Sequence, residues 1–139
     1  MAMKLSENFT LEEMVASATA RKYGIINIPD KLQKENLRRL CVDILQPIRD
    51  RISLPIIVTS GFRSMKLNNA VGGSPSSQHL KGEAADIICV DNSQLWKIIL
   101  DMIGKGEIKV GQLINEKNLS WIHISLPTDG KLNQIFCIA

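Results

Sequence analysis

The chain has 139 residues, 45% apolar and 22% charged, with a net charge of +3. That is the size and make-up of one soluble globular domain, able to build a core without staples. The charge is too small and too scattered for a nucleic-acid binder, and no apolar run nears the roughly 20 residues of a membrane span.

The opening MAMKLSENFTLEEM lacks the apolar stretch of a signal peptide, so synthesis in the cytoplasm without one is expected. Residues 8–24, NFTLEEMVASATARKYG, predict a helix. Thr10 and Glu13 make a capping box, Phe9 and Met14 a hydrophobic staple, and Gly24 a stop. Residues 28–52 predict a second helix, capped by Asp30 with Gln33 at the third position. Leu37, Leu40, Cys41, Ile44, Leu45 and Ile48 form its buried stripe, and Pro47 should kink or end it. The most basic window, residues 21–39, lies largely on this helix and reads as a solvated face.

From Pro55 the period changes. Residues 55–64, PIIVTSGFRS, read as a strand entering a glycine turn, and 65–79 as a polar, Gly-rich segment. EAADIICV (83–90) is a strand, and NSQLWKIILDMIG (92–104) an amphipathic helix. VGQLINE (110–116), SWIHISL (120–126) and NQIFCIA (133–139) are short strands. Helices first and strands later predict an α+β fold, with N-terminal helices packed on a small antiparallel sheet, in a single domain over 1–139. Cys41, Cys89 and Cys137 have apolar neighbours and no framework spacing, so they read as buried thiols from a reducing compartment.

The chemistry gathers around the only two histidines. His79 stands in the loop before the 83–90 strand. His123 alternates with Ile122 and Ile124, so it shares its face with Trp121 and Ser125 rather than with the apolar side chains. Asp86 lies in the otherwise apolar AADII, where a carboxylate needs a cation or strong donors. Two imidazoles and one carboxylate are a catalytic zinc set with a position left for water. The facial triad of non-haem iron uses the same ligand types, and a loop histidine with a sheet histidine is the plain structural alternative.

Ser77 to Asp86 reads Ser-x-His-x-x-Gly-x-Ala-x-Asp, with SGFRS upstream and WIHIS downstream. In these motifs, and over nearly the whole chain from FTLEEM to the last histidine strand, the sequence resembles the zinc D-Ala-D-Ala carboxypeptidase/endopeptidase family. It is most similar to the small single-domain members found in phages, prophages and bacterial genomes. The resemblance implies a hedgehog/DD-peptidase-like fold and a Zn²⁺ held by His79, Asp86 and His123. It gives Arg63 the role of holding a substrate carbonyl or carboxylate, and Ser77 that of shaping the substrate site. It implies peptidoglycan peptides as substrate and a monomer acting on the cell wall, after phage-type release or export by another route. Trp121, on the face of His123, is taken as a stacking residue at the substrate rim.

One position departs from the family pattern. Many members place the catalytic acid three residues before the last histidine, and here that residue is Ser120. The nearest upstream carboxylate is Glu116, in a Gln-Leu-Ile-x-Glu strand similar to the phage-type subgroup. If VGQLINE and SWIHISL pair as a hairpin with a four-residue loop, Glu116 lies opposite Trp121 and Ile114 opposite His123. Glu116 is then a diagonal neighbour of His123, with Cα atoms about 7–8 Å apart. A one-residue slip would turn it to the other face. Glu83 is the competing base, on the strand face opposite Asp86. The competing function is a zinc-containing domain that binds wall peptides without turnover.

Overall fold

The computed structural model of the chain describes residues 3–128 and 130–139. A short hairpin, β1 (Lys4–Ser6) with β2 (Phe9–Thr10), leads into α1 (Leu11–Val15). Thr10 Oγ1 accepts the Glu13 N–H at 3.2 Å. The Glu13 carboxylate accepts from the Thr10 hydroxyl, so the return bond of the capping box to the Thr10 backbone is replaced. Phe9 and Met14 are both buried. The predicted first helix is in fact two. Ser17 accepts the Ala20 N–H and starts α2 (Ala18–Tyr23), which ends at Gly24 with φ +62°. A serine side chain that captures a backbone donor offers the chain a fresh N-cap instead of a continuous helix.

The second helix runs unbroken past its proline. α3 (Lys31–Leu40) carries both halves of the Asp30–Gln33 capping box. A π turn at Cys41–Leu45 follows, then α4 (Gln46–Ile52). In a regular helix Pro47 would press its ring on the Asp43 carbonyl and leave that carbonyl without a donor. The wider turn, in which the Gln46 N–H reaches the Cys41 carbonyl, absorbs that misfit one residue ahead. The expected break is therefore a bulge, and the helix ends at Ser53, in the left-handed region at φ +55°.

β3 (Ile57–Ser60), β4 (Ala84–Ile88), β5 (Gln112–Glu116), β6 (Trp121–Ser125) and β7 (Gln134–Ile138) form one sheet in the order β3-β4-β6-β5-β7. Between them lie α5 (Met65–Ala70), a 3₁₀ turn (Gln78–Lys81) and α6 (Asn92–Gly104). The first four strands in that order are antiparallel. β7 is parallel to β5, so the sheet is mixed and the wholly antiparallel expectation is corrected. β6 already has β4 and β5 on its two sides, and β7 takes the outer edge of β5 rather than pairing with β6. It enters there beside the start of β5, with the Gln134 N–H on the Gly111 carbonyl, and so runs the same way.

Strand alternation sorts the sheet into two faces. Ala85, Ile87, Leu113, Ile122 and Ile124 join Leu37, Leu40, Ile44, Ile48, Leu95 and Ile99 of the helices in one core. The opposite face carries Asp86, His123 and Glu116. Of the cysteines, Cys41 is buried, and burial pushes its thiol up to about 12. Cys89 is half-buried and Cys137 is exposed on β7, so the expectation of three buried thiols holds for Cys41 alone. Apolar neighbours in sequence do not bury a residue on an edge strand with no layer above it. No helix among the described residues is long and apolar enough to cross a membrane.

Candidate metal centre

Three elements bring the donors together. Asp86 in β4 lies directly opposite His123 in β6. His79 comes from the 3₁₀ turn just before β4, and that turn is fixed on several sides. Ser77 Oγ caps it by accepting the His79 N–H at 3.2 Å. Gln33 Nε2 and Asn36 Nδ2, on α3, donate to the carbonyls of Leu80 and Lys81. Gly82 ends it at φ +72°, where a Cβ would stand 2.5 Å from the Gln33 carbonyl oxygen. Gly82→Ala is therefore expected to destabilise the protein by about 2 kcal/mol or more, measured by denaturant unfolding.

Nε2 of His79 and Nδ1 of His123 approach the same oxygen, Asp86 Oδ1, at 3.3 and 3.2 Å. All three residues are buried, and the three ligand atoms lie within 4.8 Å of one another. His79 Nδ1 is 2.7 Å from the Gly61 carbonyl, an acceptor only, so Nδ1 carries a proton. In a neutral ring the bare lone pair of Nε2 would then face a carboxylate oxygen. Such a convergence of acceptors is repulsive unless a cation, proton or metal, lies between them. A backbone carbonyl that fixes a histidine tautomer is the usual support of a metal ligand. The donor set therefore fits a metal ion, and two imidazoles with one carboxylate suit zinc.

When protons rather than a metal lie between the donors, burial still pushes the Asp86 carboxyl up, but the hydrogen bonds from His123 and His79, with their charge, outweigh it and hold it well below the usual carboxylate range. A depressed value means that ionised Asp86 stabilises the fold above its unfolded value, near pH 4, and that this contribution fades as pH falls through the range below. In metal-free protein, unfolding free energy is expected to drop more steeply below about pH 4 in the wild type than in Asp86→Asn. Denaturant titrations from about pH 2 to about pH 6 test this, and equal slopes would refute it.

The donors open onto a cleft of about 400 Å³ that also takes in Arg63, Ser77, Glu116 and Trp121. The β5–β6 register is the one the four-residue loop predicts, with Ile114 opposite His123 and Glu116 opposite Trp121. Lys117, Asn118 and Leu119 turn the corner with φ of 48°, 55° and 59°. The Asn115 side chain holds this left-handed run through the Leu119 N–H. Trp121 Nε1–H donates to Glu116 Oε2 at 2.9 Å, so the half-buried indole fixes the carboxylate as well as lining the cleft. Arg63 donates to Ser60 Oγ at 2.9 Å and reaches Asp86 Oδ2 at 3.4 Å. Glu83 is absent from the cleft wall, and Ser120 is exposed in the hairpin loop.

A family model described as Peptidase M15 matches residues 7–125. The chain belongs to the M15 peptidase family. No curated protein matches the chain. The M15 match spans all three candidate ligands together with Arg63, Ser77, Glu116 and Trp121, and stops short of β7.

Two residues that line this M15 cleft, and one buried behind it, carry no role in the motifs. Lys131, from the β6–β7 connection, lines the wall. Gln78 lines it too, buried, with neither carboxamide atom partnered among the described residues. Asn68 is fully buried behind Arg63. The sequence gives no periodic or motif signal for any of them, because each acts from a loop or a single helical turn.

Proposed function

We propose that this chain is a zinc-dependent hydrolase of peptide bonds in peptidoglycan stem peptides or cross-links, a D-Ala-D-Ala carboxypeptidase or murein endopeptidase. The observation that supports it most is the presence of a carboxylate outside the donor group, Glu116, in the same cleft as His79, Asp86 and His123. A structural metal cage has no need of a cleft with a free carboxylate and a guanidinium.

His79, Asp86 and His123 would hold a zinc ion, which would supply Lewis acidity to a substrate carbonyl and to water. The protein's own groups do the rest. Arg63 donates to the scissile carbonyl oxygen as negative charge develops on it. Trp121 holds Glu116 by Oε2, which leaves Oε1 to take a proton from the attacking water and pass it to the leaving amine. Water attacks directly, with no nucleophilic side chain and no covalent enzyme intermediate. Ser77 and Trp121 line the path of the peptide. The substrate lies in the cell wall, so the protein reaches it by phage-type release or by export, and it acts as a monomer on wall peptides rather than on nucleic acid or membrane.

Digestion of purified peptidoglycan, with mass spectrometry of the new termini, tests the reading. New amino and carboxyl termini next to a D-amino acid, abolished by chelation, are expected. Protein that retains its metal and releases no termini is a wall-peptide-binding domain instead.

A further inference from the structure

We infer that Asn68 is a positioning residue for Arg63, and that its carboxamide ties the aim of the guanidinium to the cleft wall at Gly73 and Ser74. The kinetic part of this inference rests on the proposed peptidase activity, while its spectroscopic part does not.

Asn68 lies on α5 and is fully buried. Its Oδ1 accepts from Arg63 Nη1 at 3.3 Å, and its Nδ2 donates to the Ser74 carbonyl at 2.9 Å. Its backbone carbonyl accepts the Gly73 N–H at 2.8 Å. The fit is close enough to exclude a side chain at Gly73, where a Cβ would stand 2.1 Å from Asn68 Oδ1 and 3.1 Å from Arg63 Nη1. Gly73 and Ser74 are themselves part of the cleft wall. One carboxamide therefore sets both the wall and the arginine beside it.

Arginine has five N–H donors. Ser60, Asn68 and Asp86 take one each, from β3, α5 and β4, and two remain for a substrate oxygen. Ser60 and Asp86 are paired neighbours within the sheet, so Asn68 is the anchor from outside it. Its neutrality matters. A carboxylate at this position would pair with the guanidinium and draw its charge from the substrate, and it would face the Ser74 carbonyl acceptor to acceptor. Asparagine orients the arginine without adding a second carboxylate to that of Asp86.

The test is a double-mutant cycle on the metal-loaded protein, with metal content checked in every variant. Asn68→Ala is expected to lower kcat/KM on a wall peptide about 10-fold or more, and to change it less than about twofold when Arg63 is already alanine. Gly73→Ala, which drives a methyl group into the Asn68 carboxamide, should show the same dependence on Arg63. Asn68→Asp should not restore the rate. The Arg63 Nη–H resonances, identified by their loss in Arg63→Ala, should exchange with water at least about tenfold faster in Asn68→Ala. Equal losses in the native and Arg63→Ala backgrounds, or an unchanged rate and exchange, would overturn the inference. If no wall peptide is cut by the wild type, the peptidase reading fails alone, and the exchange measurement decides the role of Asn68. Should Asn68→Ala not fold, Gly73→Ala carries both measurements.

Discussion

Glu116→Gln is expected to keep its metal and to lose about 10²-fold or more in kcat. Glutamine retains the shape and can still accept the Trp121 Nε1–H bond, but it cannot take a proton. The loss therefore isolates proton transfer from packing. A glutamate that merely ended the hairpin in solvent would tolerate the change without effect. Activity intact in Glu116→Gln but lost in Glu83→Gln would move the role to a residue outside the cleft and would contradict the account. The register makes the prediction specific. Glu116 shares a sheet face with His123 because Ile114 and Glu116 pair with His123 and Trp121.

Arg63→Ala is expected to raise the barrier by about 3 kcal/mol, close to 10²-fold in kcat/KM, as for the loss of one donor to a developing oxyanion. Arg63→Lys should recover only part of it, since an ammonium keeps the charge but not the planar fork held by Ser60, Asn68 and Asp86. Muropeptide hydrolysis at the wild-type rate in Arg63→Ala would remove Arg63 from the chemistry. Metal content separates this from indirect damage, because Arg63 also touches the candidate ligand Asp86 at 3.4 Å.

The parts of the site that lie on regular strands were legible in the sequence. His123 between Ile122 and Ile124, and Asp86 between Ala85 and Ile87, announce by alternation that a polar face backs an apolar one. A four-residue loop then fixes the partner of Glu116, since a period of two leaves no intermediate register. The helical caps at Thr10 and Asp30 were legible for a similar reason, being local chemistry within one turn. What escaped depends on neighbours distant in the chain. The direction of β7 follows from its entry beside the start of β5, at the Gly111 carbonyl, which no local pattern in NQIFCIA records. The π turn before Pro47 is one of two ways to relieve the same clash, and the buried stripe that continues through Ile48 keeps the helix whole. Asn68 and Gly73 matter only because the fold brings them against Arg63.

The central claim is that His79, Asp86 and His123 form a zinc site. Elemental analysis of protein purified without added metal tests it most directly, with the double variant His79→Ala/His123→Ala purified alongside. Two imidazoles and a buried carboxylate that converge without a cation would repel, so the wild type should carry one zinc per chain through purification. The double variant leaves a single carboxylate donor and should carry none. Zinc absent from the wild type, or retained in the double variant, would contradict the account.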